Sequence, residues 1–215
     1  CYVVGFPIFV SSWASDLPSK DAPPMILFSS SRAAFISTFF LLLVCFGSSQ
    51  VIAQQADQSV KTIATLDVPR YLGTWYEIAK FPNWFQRKCA SNTKAVYSAK
   101  SDGNLRVQNS CKTASGETTE AEGLARQIGA KDSPKLEVRF APEWLSFIPL
   151  VWGDYWVIDL DPQYQVAAVS DPRREYLWVL SRSPQIDPKV YADLLQRLKQ
   201  QQFDIQKLEL TTQKN

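Results

Sequence analysis

Downstream of residue 53, the side chains best suited to covalent chemistry are two cysteines, Cys89 and Cys111. Arg87 and Lys88 adjoin Cys89, and neighbouring cations favour the nucleophilic thiolate. Such chemistry would run without histidine, because the 215 residues contain none. That absence excludes Ser-His-Asp and Cys-His nucleophile activation and removes the commonest ligand of zinc, iron and copper. Only carboxylate, lysine, tyrosine or lone-thiol chemistry remains. The competing reading of the pair is a disulfide, since an even pair in an exported chain favours a bridge over a metal site. Two buried free thiols are the third. The bridge is the expectation, with no catalytic residue, no metal and no cofactor assigned.

Export is read from the first quarter of the chain. Residues 1–24 precede the only methionine, Met25, carry no clear pattern, and read as an upstream segment outside the native protein. Residues 25–53 hold Arg32, an apolar run over 33–46, and Ala53 with Val51 three places before the cut. That is a secretory signal peptide. The run is short against the roughly 20 apolar residues of a membrane span; an uncleaved signal anchor is the alternative. Cys45 is preceded by Val44 and followed by Phe46, a poor setting for lipid attachment, and reads as part of the apolar run. Periplasm, outer membrane and the exterior share this signal.

Residues 54–64 read as a short flexible mature N-terminus, and 65–215 as one domain. Lys and Arg number 23 against 21 Asp and Glu, with no basic cluster. That gives no footprint for nucleic acid.

The elements that must position these residues are strands. Apolar and polar residues alternate, or nearly so, over 73–81, 93–100, 105–111, 118–127, 135–140, 155–160, 165–170 and 175–182. Turn signals divide them: Ser-Asp-Gly-Asn at 101–104, Asp-Ser-Pro at 132–134, and Asp-Pro at 161–162 and 171–172. Sequential strands with short turns form an antiparallel meander. The predicted fold is all-β, an eight-stranded up-and-down antiparallel barrel, whose closure removes the sheet edges. Eight strands enclose either packed side chains or one small ligand. One helix follows, with Asp187 as its cap and Pro188 in its first turn. Val190, Tyr191, Leu194, Leu195 and Leu198 form the stripe that packs it on the outside of the barrel. A last short strand fits 207–210.

Three motifs in order resemble the lipocalin family of the calycin superfamily, closest to its bacterial outer-membrane and apolipoprotein D branches. The first is LDVPRYLGTWYEIAKFP at 66–82, containing Gly73-Thr74-Trp75. The second is Asp161 in DLDPQY, in the turn after the sixth strand; the third is Arg182 in YLWVLSRSP, at the end of the eighth. The resemblance covers roughly 65–211. One departure is Pro162, where the family usually has tyrosine, with Tyr164 nearby; the weak lipid-attachment setting is another. The resemblance implies that Trp75 and Arg182 meet at the closed base, and that Gly73, Trp75, Asp161 and Arg182 are structural. A guanidinium over an indole face gains cation–π attraction, more when desolvated.

Alternation then assigns the inward face: Ala95, Tyr97, Val107, Asn109, Ala121, Val138, Phe140, Tyr155, Val157 and Trp178 line the cavity. Small residues beside aromatic ones suit an apolar ligand with few polar contacts, such as a fatty acid or a lysophospholipid. Each buried CH₂ contributes about 0.8 kcal/mol. A filled barrel is the alternative. FAPEWLSFIPLVWGDYW at 140–156 and FPNWFQRK at 81–88 fall at the end that the family leaves open. Trp84, Phe85, Trp144, Leu145, Phe147, Ile148 and Trp152 would ring the mouth. They could extend the pocket, touch a membrane, bury themselves in a dimer, or fold down as a lid. The functional expectation is an exported carrier or store of a hydrophobic small molecule, monomeric or homodimeric. A thiol enzyme acting on lipids or carotenoids and a filled-barrel structural or interaction protein are the alternatives.

Overall fold

A strand that alternates apolar and polar residues must hide one of its faces, and here each strand turns one such face toward a common axis. The computed structural model describes residues 59–214. The stretches read from the sequence as an upstream segment (1–24) and as a signal peptide (25–53) lie outside the described residues. The strands are β1 (Gly73–Lys80), β2 (Ser91–Ala99), β3 (Leu105–Lys112), β4 (Thr118–Gln127), β5 (Lys135–Arg139), β6 (Gly153–Leu160), β7 (Val166–Ser170) and β8 (Leu177–Ser181). Each pairs antiparallel with the next, and β8 returns to β1 to close the barrel. A short β9 (Glu209–Leu210) adds to β1 beyond the point where β2 leaves it.

Antiparallel order places the loops 81–90, 113–117, 140–152 and 171–176 at one end. The turns 100–104, 128–134 and 161–165 lie at the other, with a four-residue helix α1 (Val68–Tyr71). This helix had no periodic signal in the sequence. It forms because Asp67 accepts from Arg70 N at 3.3 Å and Pro69 fits the first turn.

Within the stretch 54–64 read from the sequence as flexible, the described residues from 60 on are held against the barrel. Val60 is buried, Ile63 donates its N–H to Val157 O at 3.1 Å, and Leu66 donates to Asp132 O at 2.8 Å. Apolar side chains and satisfied backbone donors dock this segment on the barrel.

Two clusters divide the core. Trp75, Tyr97, Val107, Leu136, Val157 and Val169 belong to the one inside the barrel. The other lies under α2 (Pro188–Gln200), whose Leu194 and Leu198 pack on Ile158, Ala168, Leu177 and Val179. Asp187 caps this helix, accepting from Lys189 N at 2.8 Å and Val190 N at 3.1 Å. Arg197 clamps it to β6 through both oxygens of Asp159, at 2.7 and 2.9 Å.

Candidate ligand-binding cup and its rim

The closed end is built from three chain segments. Trp75 is wholly buried, with the Arg182 guanidinium 4.0 Å from its ring centre. Arg182 donates to Thr74 O and Arg70 O at 2.8 Å and to Tyr164 O at 3.3 Å, so each of its three nitrogens is tied to a backbone carbonyl. The Trp75 indole N–H reaches Tyr71 O at 2.8 Å. Asp161 organises the neighbouring turn, accepting from the N–H groups of Gln163, Gln165 and Val166. Tyr164 there has φ 60°, and its hydroxyl accepts from Asp67 N at 3.0 Å, while Arg70 lies 4.0 Å from the ring centre. Pro162 is thus tolerated because Tyr164, two residues on, docks the turn against α1.

Above this plug the register aligns Trp75 with Ala95, Asn109 and Ala121, and Gly73 with Tyr97, Val107 and Gly123. Val138 stands opposite Ala125, Tyr155 opposite Leu136, and Val157, Val169 and Trp178 share a row. These inward residues fall into two groups. Tyr97, Val107, Ala125, Leu136, Val138, Val157 and Val169 are buried. Asn109, Ala121, Gly123, Phe140, Tyr155 and Trp178 are only half-buried. Gly123 lacks a side chain for a reason: a Cβ there would come within 2.8 Å of the Phe140 ring and 2.7 Å of Arg139 O.

Three phenols meet between the two groups. Tyr97 donates its hydroxyl to Tyr155 at 2.9 Å, and Tyr155 and Tyr71 share a second bond of 2.9 Å. Burial pushes the Tyr97 phenol up to about 12 and raises Tyr71 and Tyr155 as well. All three stay neutral near pH 7.

At the mouth, Glu77 follows Gly73 and Trp75 on the inward face of β1 and is 3% exposed. Its carboxylate accepts from Gln86 Nε2 at 2.6 Å and from Thr211 Oγ1 at 2.5 Å. Burial holds the Glu77 carboxyl above the usual carboxylate range, against the opposing pull of those donors. Gln86 also accepts from the Trp178 indole at 3.0 Å and from Asn83 Nδ2 at 2.6 Å. The 81–90 loop therefore turns inward. Phe85 follows it, its ring 5.7 Å from Tyr176 and 6.2 Å from Trp178, which stack on each other at 5.8 Å. Cys89 and Cys111 form a disulfide tying this loop to β3. Both sulfurs are spent in it, which removes the nucleophile of the thiol-enzyme alternative.

The 140–152 loop behaves differently. Trp144, Phe147 and Leu150 are 72%, 77% and 55% exposed, and Trp84 is exposed as well; Leu145 and Ile148 are half-buried. Trp152 does not ring the mouth. Its indole lies on the outer wall, 4.0 Å from the Arg126 guanidinium and 5.2 Å from that of Arg139. Arg126 and Arg139 alternate with inward Ala125 and Val138, so a ring stacked on them is held outside. Arg139 also donates to Ala141 O and Pro142 O, which fixes the start of the loop. Leu150, Glu77, Gln86 and Tyr71 were not picked out from the sequence. For Glu77 the parity of Gly73 and Trp75 was signal enough; for Tyr71, ahead of the first strand, there was none.

A closed eight-stranded up-and-down barrel, plugged by arginine on tryptophan at one end and carrying one outer helix, defines a small cup-forming β-barrel class. Residues 66–213 match the family described as Lipocalin-like domain. The chain is similar to "Temperature-induced lipocalin-1" of Arabidopsis thaliana, 40% identical over 73% of this chain and 84% of that protein. It is also similar to "Outer membrane lipoprotein Blc" of Escherichia coli, 38% identical over 70% of this chain and 81% of the other. Among solved structures, insecticyanin from the tobacco hornworm Manduca sexta superposes with a TM-score of 0.55, covering 71% of this chain and 83% of that one at 21% identity. The chain belongs to the lipocalin family.

Proposed function

We propose that this protein binds one hydrophobic small molecule, of the fatty acid or lysophospholipid kind, in the upper part of the barrel and carries or stores it. The observation that supports this is the split among inward residues. Half-buried Asn109, Ala121, Phe140, Tyr155 and Trp178 stand above a sealed lower layer. Such a cup offers apolar burial with a few polar contacts, the usual make-up of a small-molecule site. Export through the 25–53 signal, toward periplasm, outer membrane or exterior, belongs to this reading; the outer-membrane name of the bacterial relative is in keeping with it. Catalysis is not part of it.

Loading takes place at a lipid surface. The exposed Trp144, Phe147 and Leu150 project at the open end, where Arg87 and Lys88 are exposed too. Apolar tips beside basic residues suit the interfacial layer of an anionic membrane. The protein acts as a monomer or homodimer.

The test is titration of the purified protein with a fluorescent fatty acid and a fluorescent lysophospholipid. Saturable binding near one ligand per chain, displaced by the unlabelled lipid and weakened at least tenfold by Ala121→Trp, is the expected result. A folded protein that takes up neither probe at micromolar concentration would mean a non-binding barrel.

A further inference from the structure

The three phenols come from separate elements, Tyr71 from α1, Tyr97 from β2 and Tyr155 from β6. Their rings are held in a column above Trp75. Tyr71 lies 4.8 Å from Trp75 and 5.7 Å from Tyr97, and Tyr97 lies 6.1 Å from Tyr155. Three hydroxyls bring three protons, and the two bonds among them use two. Since Tyr97 donates to Tyr155, the spare proton sits on Tyr155 or Tyr71, whichever accepts in the shared bond. No acceptor for it is present among the described residues. A buried donor without a partner is costly, and native structures seldom leave one. Tyr155 faces inward and is also the one member of the trio that is only partly buried.

The acceptor that fits is a neutral one. A carboxylate at this depth would need a cation. Arg182, the cation below the floor, is stacked on Trp75 and committed to three backbone carbonyls, so it has no hydrogen bond to offer a ligand carboxylate. A charge brought there would be buried without a partner. We propose that the Tyr71–Tyr97–Tyr155 floor selects apolar ligands ending in a ketone or ester carbonyl, which enter oxygen first and accept the spare phenol proton. This rests on the carrier reading and adds an orientation and a selectivity to it. A fatty acid would then bind with its carboxylate at the mouth and its chain on the floor.

Three probes of equal chain length decide it: a long-chain methyl ketone, the matching hydrocarbon and the matching carboxylate, each titrated into the full chain by tryptophan fluorescence. The ketone is expected to bind about tenfold tighter than the hydrocarbon, the ratio of one well-made hydrogen bond. That advantage should disappear in Tyr155→Phe, and the infrared carbonyl stretch of the bound ketone should lie lower in the wild type than in the variant. Equal binding of ketone and hydrocarbon to the wild type would overturn the floor while leaving the carrier standing. A carboxylate that gains most, and loses it in Tyr155→Phe, would overturn it too. Failure of all three probes would remove the carrier reading itself. Should Tyr155→Phe not fold, the infrared shift of the ketone bound to the wild type gives the same decision, and Tyr97→Phe, which leaves one spare proton on the Tyr71–Tyr155 pair, should keep the ketone advantage.

Discussion

At the closed end, Trp75 is removed from water, with Arg182 on one face and Tyr71 near the other. At the open end, Trp144 and Phe147 leave 72% and 77% of their surface exposed. The same residue type serves opposite purposes. Below, an aromatic ring joins strand, helix and turn, and its own N–H and the three nitrogens of Arg182 reach backbone carbonyls. Above, rings stand clear on a loop that is pinned by Arg139 at its root and by Trp152, on the outer wall, whose indole donates to Ser146 O at 2.9 Å. The lesson is that aromatic content by itself says little. What a ring does depends on whether the backbone around it is fixed by pairing or merely anchored at its ends.

Breaking the closed end should have the largest effect. Trp75→Ala removes a fully buried indole and the support of Arg182 and Tyr71. A loss of about 3–5 kcal/mol is expected in urea unfolding, enough to unfold much of the population. Next comes the tie at the open end. Replacing Cys89 and Cys111 together by serine frees the 81–90 loop and should cost about 2–4 kcal/mol, read by thermal unfolding with and without reductant on the wild type.

Glu77 is a subtler probe of the mouth. Folding raises its pKa, so the folded state holds this proton more tightly than the unfolded chain does. Its contribution to stability is therefore full below the ordinary value near 4.5 and is lost as pH rises through the raised folded value. Urea titrations from about pH 4 to pH 8 should show the wild type declining relative to Glu77→Gln across that window. Parallel curves would mean that the carboxyl is not held up by burial.

The smallest effect on stability sharpens the contrast most. Phe147→Ala should change unfolding by no more than about 0.5 kcal/mol, since the ring has little to lose on exposure. The same variant should bind anionic vesicles several-fold more weakly in a flotation assay. A stability loss as large as that of Trp75→Ala would mean that the loop is packed rather than presented.

Much of the closed end could be read directly. Gly73-Thr74-Trp75, Asp161 and Arg182 lie in strands and turns whose period and turn residues were plain, and each acts within its own element or against the next. The strand ends were less legible: β6 begins at Gly153, and β8 at Leu177 rather than near residue 175. The rim was read as one ring, although Trp152 lies on the outer wall and Phe85 turns inward. Alternation says which face a strand residue takes, but a loop has no period, so its rings go wherever a partner waits. Arg126 and Arg139 attract Trp152; Glu77 and Trp178, through Gln86, draw in the 81–90 loop.

From sequence alone came the strand count, the inward face, the outer helix and the absence of imidazole chemistry, because these depend on local period and composition. Tertiary structure decided what distant residues do together. The phenol trio joins positions 71, 97 and 155. The carboxylate at the mouth is held by Gln86 and by Thr211 from the far end of the chain. Neither grouping has a sequence signature, because the separations that create it are set by barrel closure and not by the spacing of residues along the chain.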